Sequence, residues 1–131
     1  MIKQIKSSEI KKFLTDNKNV ELLDVRTQDE WDNVGKPDGE KIGLKTHFVT
    51  IIRSPDPTAN KDFIEEVKKV IDPNKELLVI CKAGGRSMMA SQLLSQENIK
   101  CINISDGFEG NGESPGWKNE NLPSKVVDLD T

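Results

Sequence analysis

Cys81 opens the run Cys81-Lys82-Ala83-Gly84-Gly85-Arg86-Ser87, and these residue types at this spacing suit a nucleophile that works on an anion. Gly84 and Gly85 let the backbone bend without a Cβ clash. A short glycine-containing loop between a strand and a helix turns backbone N–H groups toward a bound anion. The helix that follows points the positive end of its dipole at the same place. Arg86 adds a permanent charge on a planar fork suited to oxyanions, and Lys82 adds a second, point-like charge. All of these favour a thiolate at Cys81. A free cysteine titrates at roughly 8.5, and such surroundings lower that by one to several units. Each unit corresponds to about 1.4 kcal/mol of differential stabilisation. A thiolate so placed can attack and form a covalent intermediate. A cysteine ending a buried strand is, taken alone, more often a small apolar residue. The glycines, the arginine and the helix start single Cys81 out. Cys101 has no such surroundings and reads as core packing.

The elements that must position this loop can be read from periodicity. Ser7 and Ser8 are candidate caps for a helix carrying Ile10, Phe13 and Leu14. Val20 to Val25 reads as a strand covered on both faces, apolar apart from Glu21. Thr27-Gln28-Asp29-Glu30 is a capping box that starts a short helix with Trp31. Asn33 to Lys45 reads as loop. His47 to Ile52 is a β-branched run broken by Pro55 and Pro57. Asn60 to Asp72 is an amphipathic helix with Phe63, Ile64, Val67, Val70 and Ile71 on one face. Glu76 to Ile80 is a short apolar strand, placed centrally, with Cys81 at its C-terminal end. Ser87 to Gln96 reads as helix with Ala90, Leu93 and Leu94 inward, and Lys100 to Ile104 as a further strand. Beyond Ser105 the chain is rich in Gly, Asn, Ser and Pro, with Trp117 and Leu122 as anchors. The reading gives one domain over residues 1–124 and a loose tail over 125–131.

Strands alternating with helices imply an α/β domain with a mostly parallel sheet. Ligands bind beyond the C-terminal strand ends of such sheets. Cys81 and the Asp24-Val25-Arg26 turn both fall there. Asp24 and Arg26 read as a structural ion pair or loop brace, Trp31 and Trp117 as packing, and His47 as a surface or satisfied core residue. Met88 and Met89 read as helix packing.

The bulk properties exclude several classes. A chain of 131 residues is one domain that can bury roughly two-thirds of its unfolded surface. With 34% hydrophobic and 31% charged residues, it has a soluble globular balance. A net charge of −3, with charges scattered throughout, offers no basic face for nucleic acid. No apolar stretch approaches a membrane span, and Met1 to Lys6 lacks the apolar run of a signal peptide. A cytoplasmic location is the expectation. Two cysteines and one histidine make neither a disulfide framework nor a structural zinc site.

The chain resembles a single-domain rhodanese, a sulfurtransferase. Leu22 to Trp31 is similar to the family's early Asp-x-Arg and Glu-aromatic motif. Val79 to Ser87 is similar to its active-site loop, with Ala90 and Leu94 in the helix behind. Gly116-Trp117 and Leu122-Pro123 are similar to its C-terminal ending. The resemblance implies a three-layer fold with a mostly parallel five-stranded sheet and helices on both faces. It also implies that Cys81 takes the outer sulfur of a donor such as thiosulfate, becomes a persulfide, and passes that sulfur to cyanide or a cellular thiol. On this reading Lys82 and Arg86 hold the donor's anionic group. The loop from Lys82 through Ala83, Gly84, Gly85 and Arg86 to Ser87 lines the substrate site, with Asp24 and Arg26 supporting it. No cofactor, metal or nucleic acid is implied. The partners are a small anionic donor and a protein or small-thiol acceptor. Two departures stand out. Val34 to Gly43 replaces the family's Gly-His-Ile-Pro-Gly-Ala segment, which leaves one pocket wall open. Lys82 stands where arginine is common.

Three other readings compete. A phosphatase or arsenate reductase of the same fold uses a wider cradle, whereas only four residues separate Cys81 from Arg86. A non-catalytic binding module commonly lacks the cysteine that this chain keeps. A partner-dedicated sulfur carrier would share every motif.

Overall fold

The computed structural model describes residues 2–52 and 59–125. Its centre is a sheet of five parallel strands in the order β1-β6-β5-β2-β4. These are β1 (Lys3–Ile5), β2 (Val20–Asp24), β4 (Thr46–Phe48), β5 (Glu76–Ile80) and β6 (Cys101–Ile104). A separate antiparallel pair joins β3 (Lys36–Pro37) to β7 (Ser124–Lys125). The helices are α1 (Ile10–Asp16), α2 (Gln28–Asn33), α3 (Phe63–Val70) and α4 (Gly85–Ser95).

Pleating sends successive side chains to opposite faces of the sheet, and both faces here are apolar. Leu23, Val25, Leu77, Val79 and Cys81 pack with Phe63 and Val67 of α3 and with Ala90 and Leu94 of α4. Leu22, Leu78, Ile80, Ile102 and Ile104 pack with Ile10 and Leu14 of α1 and with Phe108, Trp117 and Leu122. The expected three-layer α/β architecture is therefore the observed one. Trp117 is fully buried and donates its indole N–H to Pro123 O at 2.7 Å, which anchors the C-terminal segment.

The topology fixes where a ligand can sit. The connection from β2 leads outward to β4, whereas that from β5 leads the opposite way to β6. The strand order thus reverses between β2 and β5, and a crevice opens beyond their C-terminal ends. Asp24 lies opposite Ile80 in register, and Val25 N–H donates to Ile80 O at 3.0 Å. Cys81 and the Asp24–Arg26 turn therefore share the switch point.

Several expectations shift. Ser7 does not cap a helix. A 3-10 turn over Ser7–Glu9 precedes α1, and both the N–H and the hydroxyl of Ser7 donate to buried Asp106 at 2.9 Å. The segment 33–45, read as loop, contains β3 and a 3-10 turn over Gly39–Ile42. The run 47–52 is strand only to Phe48, although Val49 and Ile51 N–H still donate to the Asp24 and Val25 carbonyls. Helix α3 begins later than periodicity suggests because Asn60 accepts from the Asp62 N–H in a local turn. Val70 and Leu93 face outward. The inward stripe of α4 is Ser87, Ala90, Ser91 and Leu94. Pro55, Pro57 and residues 126–131 lie outside the described residues, while Lys125 pairs with Lys36.

Asp24 and Arg26 have no exposed surface. The guanidinium donates to the carboxylate at 2.9–3.2 Å and to Gly35 O at 2.8 Å. It also lies 4.3 Å from the centre of the Phe108 ring. Removing one partner of a buried pair strands the other charge. Arg26→Ala should thus lower unfolding free energy by about 3–5 kcal/mol in a urea titration. A loss below about 1 kcal/mol, typical of an exposed pair, would contradict the brace.

Candidate active site

Cys81 follows directly on the central strand and is 1% exposed. The next residues turn sharply, and Gly84 N–H returns to donate to Cys81 Sγ at 3.1 Å. Two close backbone approaches hold this turn. Gly84 has φ +108°, and a Cβ there would lie 2.2 Å from Ser105 O. Gly107, at φ +63°, would place a Cβ 2.3 Å from Lys82 O. Only glycine fits either position. Phe108 and Glu109 N–H then donate to the Cys81 and Lys82 carbonyls at 2.8 and 3.0 Å. The turn after β6 is therefore the loop's backing.

Helix α4 starts at Gly85, and its first bond outside the helix body runs from Met88 N–H to Gly84 O at 3.2 Å. The N–H groups of Gly85, Arg86 and Ser87 precede that bond and have no intrahelical partner. The Ser87 hydroxyl lies 3.2 Å from Cys81 Sγ. Burial and the Glu76 charge push the Cys101 thiol up to about 12. Cys101 packs in the core beside α3 and α4, and its thiol is directed to Ile99 O at 3.6 Å.

The two cations of the loop differ. Arg86 is half-buried and grips the Glu30 carboxylate with both terminal nitrogens, at 2.7 and 2.9 Å. This pairing raises the Arg86 pKa, and the nearby Cys81 and Asp24 add to it. Lys82 and Ala83 are exposed, as is Gly85. Among the described residues Lys82 has no ion partner. The loop thus presents one free cation and one fixed by α2.

Glu30 itself is the third residue of α2 and closes its capping box, where it also accepts from the N–H and hydroxyl of Thr27 at 3.1 Å. Burial alone would raise its pKa. The Arg86 and Thr27 hydrogen bonds outweigh burial and hold the carboxyl at about 2. Burial likewise pushes Asp24 upward, against Arg26. The indole N–H of Trp31 lies near enough to help Asp24 without strict hydrogen-bond geometry. Trp31 meets Phe48 edge-on at 5.3 Å. His47 is a satisfied core residue bonded to Glu21 at 2.9 Å.

Sequence reasoning missed two residues near the loop. One is Glu30 as the partner of Arg86. The other is Asn103, which contacts Ser87 and Gly84 O. A signal existed for Asn103, because a polar residue inside the buried run Cys101–Ile104 must find partners. The divergent segment 34–43 is tied to the C-terminus through β3 and β7 and through Asp38 N–H to Pro123 O at 2.8 Å.

The profile of the Rhodanese-like domain matches residues 7–113. The chain belongs to the rhodanese family. Protein RP600 of Rickettsia prowazekii is 35% identical over 126 residues, covering 94% of this chain and 97% of its own. Thiosulfate sulfurtransferase 18 of Arabidopsis thaliana is 31% identical over 90 residues, covering 67% of this chain and 63% of its own. The crystal structure of Rv0390 from M. tuberculosis superposes with a TM-score of 0.83 at 30% identity, covering 95% of this rhodanese-like chain and 97% of that one. Among the described residues no helix is long and apolar enough to cross a membrane.

The Glu30–Arg86 bridge has a defined pH signature. The folded pKa of Glu30 lies below its ordinary value of 4.5. Its stabilisation is therefore fully present above that value and is lost as pH falls toward about 2. Glu30→Gln should be less stable than wild type at neutral pH. That deficit should shrink as denaturant titrations move into acid. A deficit that does not change with pH would contradict the assignment.

Proposed function

We propose that the protein is a sulfurtransferase that carries a sulfane sulfur on Cys81. The observation that carries this reading is the Gly84 N–H at 3.1 Å from Cys81 Sγ, at the head of α4 and at the sheet's switch point. Hydrogen-bond donors and a helix N-terminus stabilise a sulfur anion there. The thiolate attacks the outer sulfur of a donor such as thiosulfate. The new S–S bond forms as the donor's S–S bond breaks, and sulfite leaves with the electron pair. The outer sulfur then carries the negative charge, within reach of the N–H groups of Gly84 to Ser87. A thiophilic acceptor, either cyanide or a protein or small-molecule thiol, takes that sulfur and restores the thiolate.

Lys82 is the group that meets an incoming anionic donor, because its ammonium is exposed. Arg86 contributes positive potential from its fixed place beside Glu30, and that bridge engages two of its five N–H donors. Ala83 and Gly85 line the mouth, while Asp24 and Arg26 hold the base of the crevice. The reaction draws on these side chains and backbone groups and calls for no cofactor or metal. Both cysteines are free, which suits a reducing compartment such as the cytoplasm. The loop's four residues between Cys81 and Arg86 favour sulfur over a phosphate-sized oxyanion. The intact cysteine favours catalysis over a purely docking role.

Thiocyanate formation from thiosulfate and cyanide tests this. Cys81→Ser should abolish turnover and Cys101→Ser should leave it intact. Lys82→Ala should raise KM for thiosulfate roughly 5-fold, the loss of one exposed charge contact of about 1 kcal/mol, with a smaller effect on kcat. If neither thiosulfate nor a persulfide donor supports turnover, the catalytic reading fails. Cys81-dependent hydrolysis of an aryl phosphate would replace it with the phosphatase reading.

A further inference from the structure

Asn103 reaches the active-site loop from β6, and its hydrogen bonds fix its orientation. Its Nδ2 donates to Gly84 O at 3.2 Å and to Gln4 Oε1 at 3.1 Å. Both are acceptors, so the amide nitrogen must face them and Oδ1 must face Ser87. The Ser87 hydroxyl lies in hydrogen-bond contact with that Oδ1, 3.2 Å from Cys81 Sγ and 3.2 Å from Gly84 O. Gly84 O already accepts from Met88 N–H and Asn103 Nδ2, which fill its two lone pairs and leave Oδ1 and Sγ as the acceptors that depend on the hydroxyl. A serine hydroxyl has one hydrogen. Ser87 and Asn103 are buried, at 0% and 1% exposure, so a group left without a donor there is costly.

We propose that Asn103 is a positioning residue that competes with Cys81 for the single hydrogen of the Ser87 hydroxyl. When Cys81 is a thiol, its sulfur has its own hydrogen, and Ser87 donates to Asn103. When Cys81 is a thiolate, Ser87 turns to the sulfur and Asn103 Oδ1 loses its donor. When the sulfur is loaded, the charge sits on the outer atom, Sγ is a neutral bridging sulfur, and the hydrogen returns to Asn103. Asn103 thus opposes the resting thiolate and favours the forms on either side of it. This purpose rests on the sulfurtransferase reading; the competition itself rests only on geometry.

Other charges surround Cys81 and must be kept constant. Arg86 faces it from α4, backed by Glu30 of α2, and the Asp24–Arg26 pair lies at the end of β2. Lys82 is on the loop, and Asp106 and Glu109 are on the turn after β6. Asp106 is engaged with Ser7 and Gly116, and Glu109 with Lys118. None of these hydrogen-bonds to Asn103, so Asn103→Leu changes the hydroxyl's choice and leaves them in place. Gly84 O loses the Asn103 donor in that variant but keeps the Met88 N–H, so it does not depend on the Ser87 hydroxyl and a thiolate outcompetes it.

The test is the pH titration of thiolate absorbance in the ultraviolet, in the full chain carrying Cys101→Ser. The sequence has no tyrosine and only two cysteines, so the signal is that of Cys81. Asn103→Leu should lower the midpoint by about half to one unit, the effect of one hydrogen bond. In a Ser87→Ala background the same substitution should move it little. A midpoint that is unchanged or raised by Asn103→Leu, or a shift that persists undiminished without the Ser87 hydroxyl, would overturn the proposal. If circular dichroism shows that Asn103→Leu does not fold, the same pair of measurements is made with Asn103→Asp. Its carboxylate should raise the midpoint, and part of that rise should vanish with Ser87→Ala; an equal rise in both backgrounds would overturn the proposal. The titration uses no sulfur donor, so its outcome is independent of whether turnover is observed.

Discussion

The site depends on one steric constraint: the backbone of the Cys81 loop is pressed against the turn that follows β6. Gly84 passes so close to Ser105 O, and Gly107 so close to Lys82 O, that neither position has room for a side chain. That contact bends the loop until Gly84 N–H reaches Cys81 Sγ. It also brings Phe108 and Glu109 N–H onto the first two carbonyls of the loop. A tight turn around the Cys81 sulfur is therefore built by packing backbone on backbone. Side chains then tune it.

The electrostatic design follows from the same geometry. Arg86 leaves the first turn of α4 on the side of α2, where the capping-box glutamate is already oriented by Thr27. The bridge joins the β2–α2 connection to the β5–α4 connection across the switch point. Beneath it, the buried Asp24–Arg26 pair meets Phe108, whose own N–H holds Cys81 O. Two ion pairs of different burial thus converge on one loop. The more exposed cation, Lys82, has no ion partner among the described residues.

Much of this was legible in the sequence. The layered α/β fold came from periodicity, because the strands Val20–Asp24 and Glu76–Ile80 are mostly apolar without alternation and α3 has one apolar stripe. The turn at Cys81 was legible because glycines and a cation follow it ahead of a helix. The short edge strands β1, β3 and β7 were not, since two or three residues carry no period. Ser7 looked like a cap, but its partner, Asp106, is far along the chain, and local motifs do not report such contacts. The same limit hid Glu30 and Asn103. Each reads as a local feature, a capping-box member or a strand residue, and gains its role only when the fold brings it to the loop.

Sulfur transfer by this chain requires that Cys81 itself takes up the sulfur. The most direct measurement is the intact mass of the protein after incubation with thiosulfate or a persulfide donor, followed by peptide mapping. The expected result is a gain of one sulfur atom located on Cys81, absent from Cys81→Ser and removed by cyanide as thiocyanate. No gain with any donor, or a gain located on Cys101, would contradict it.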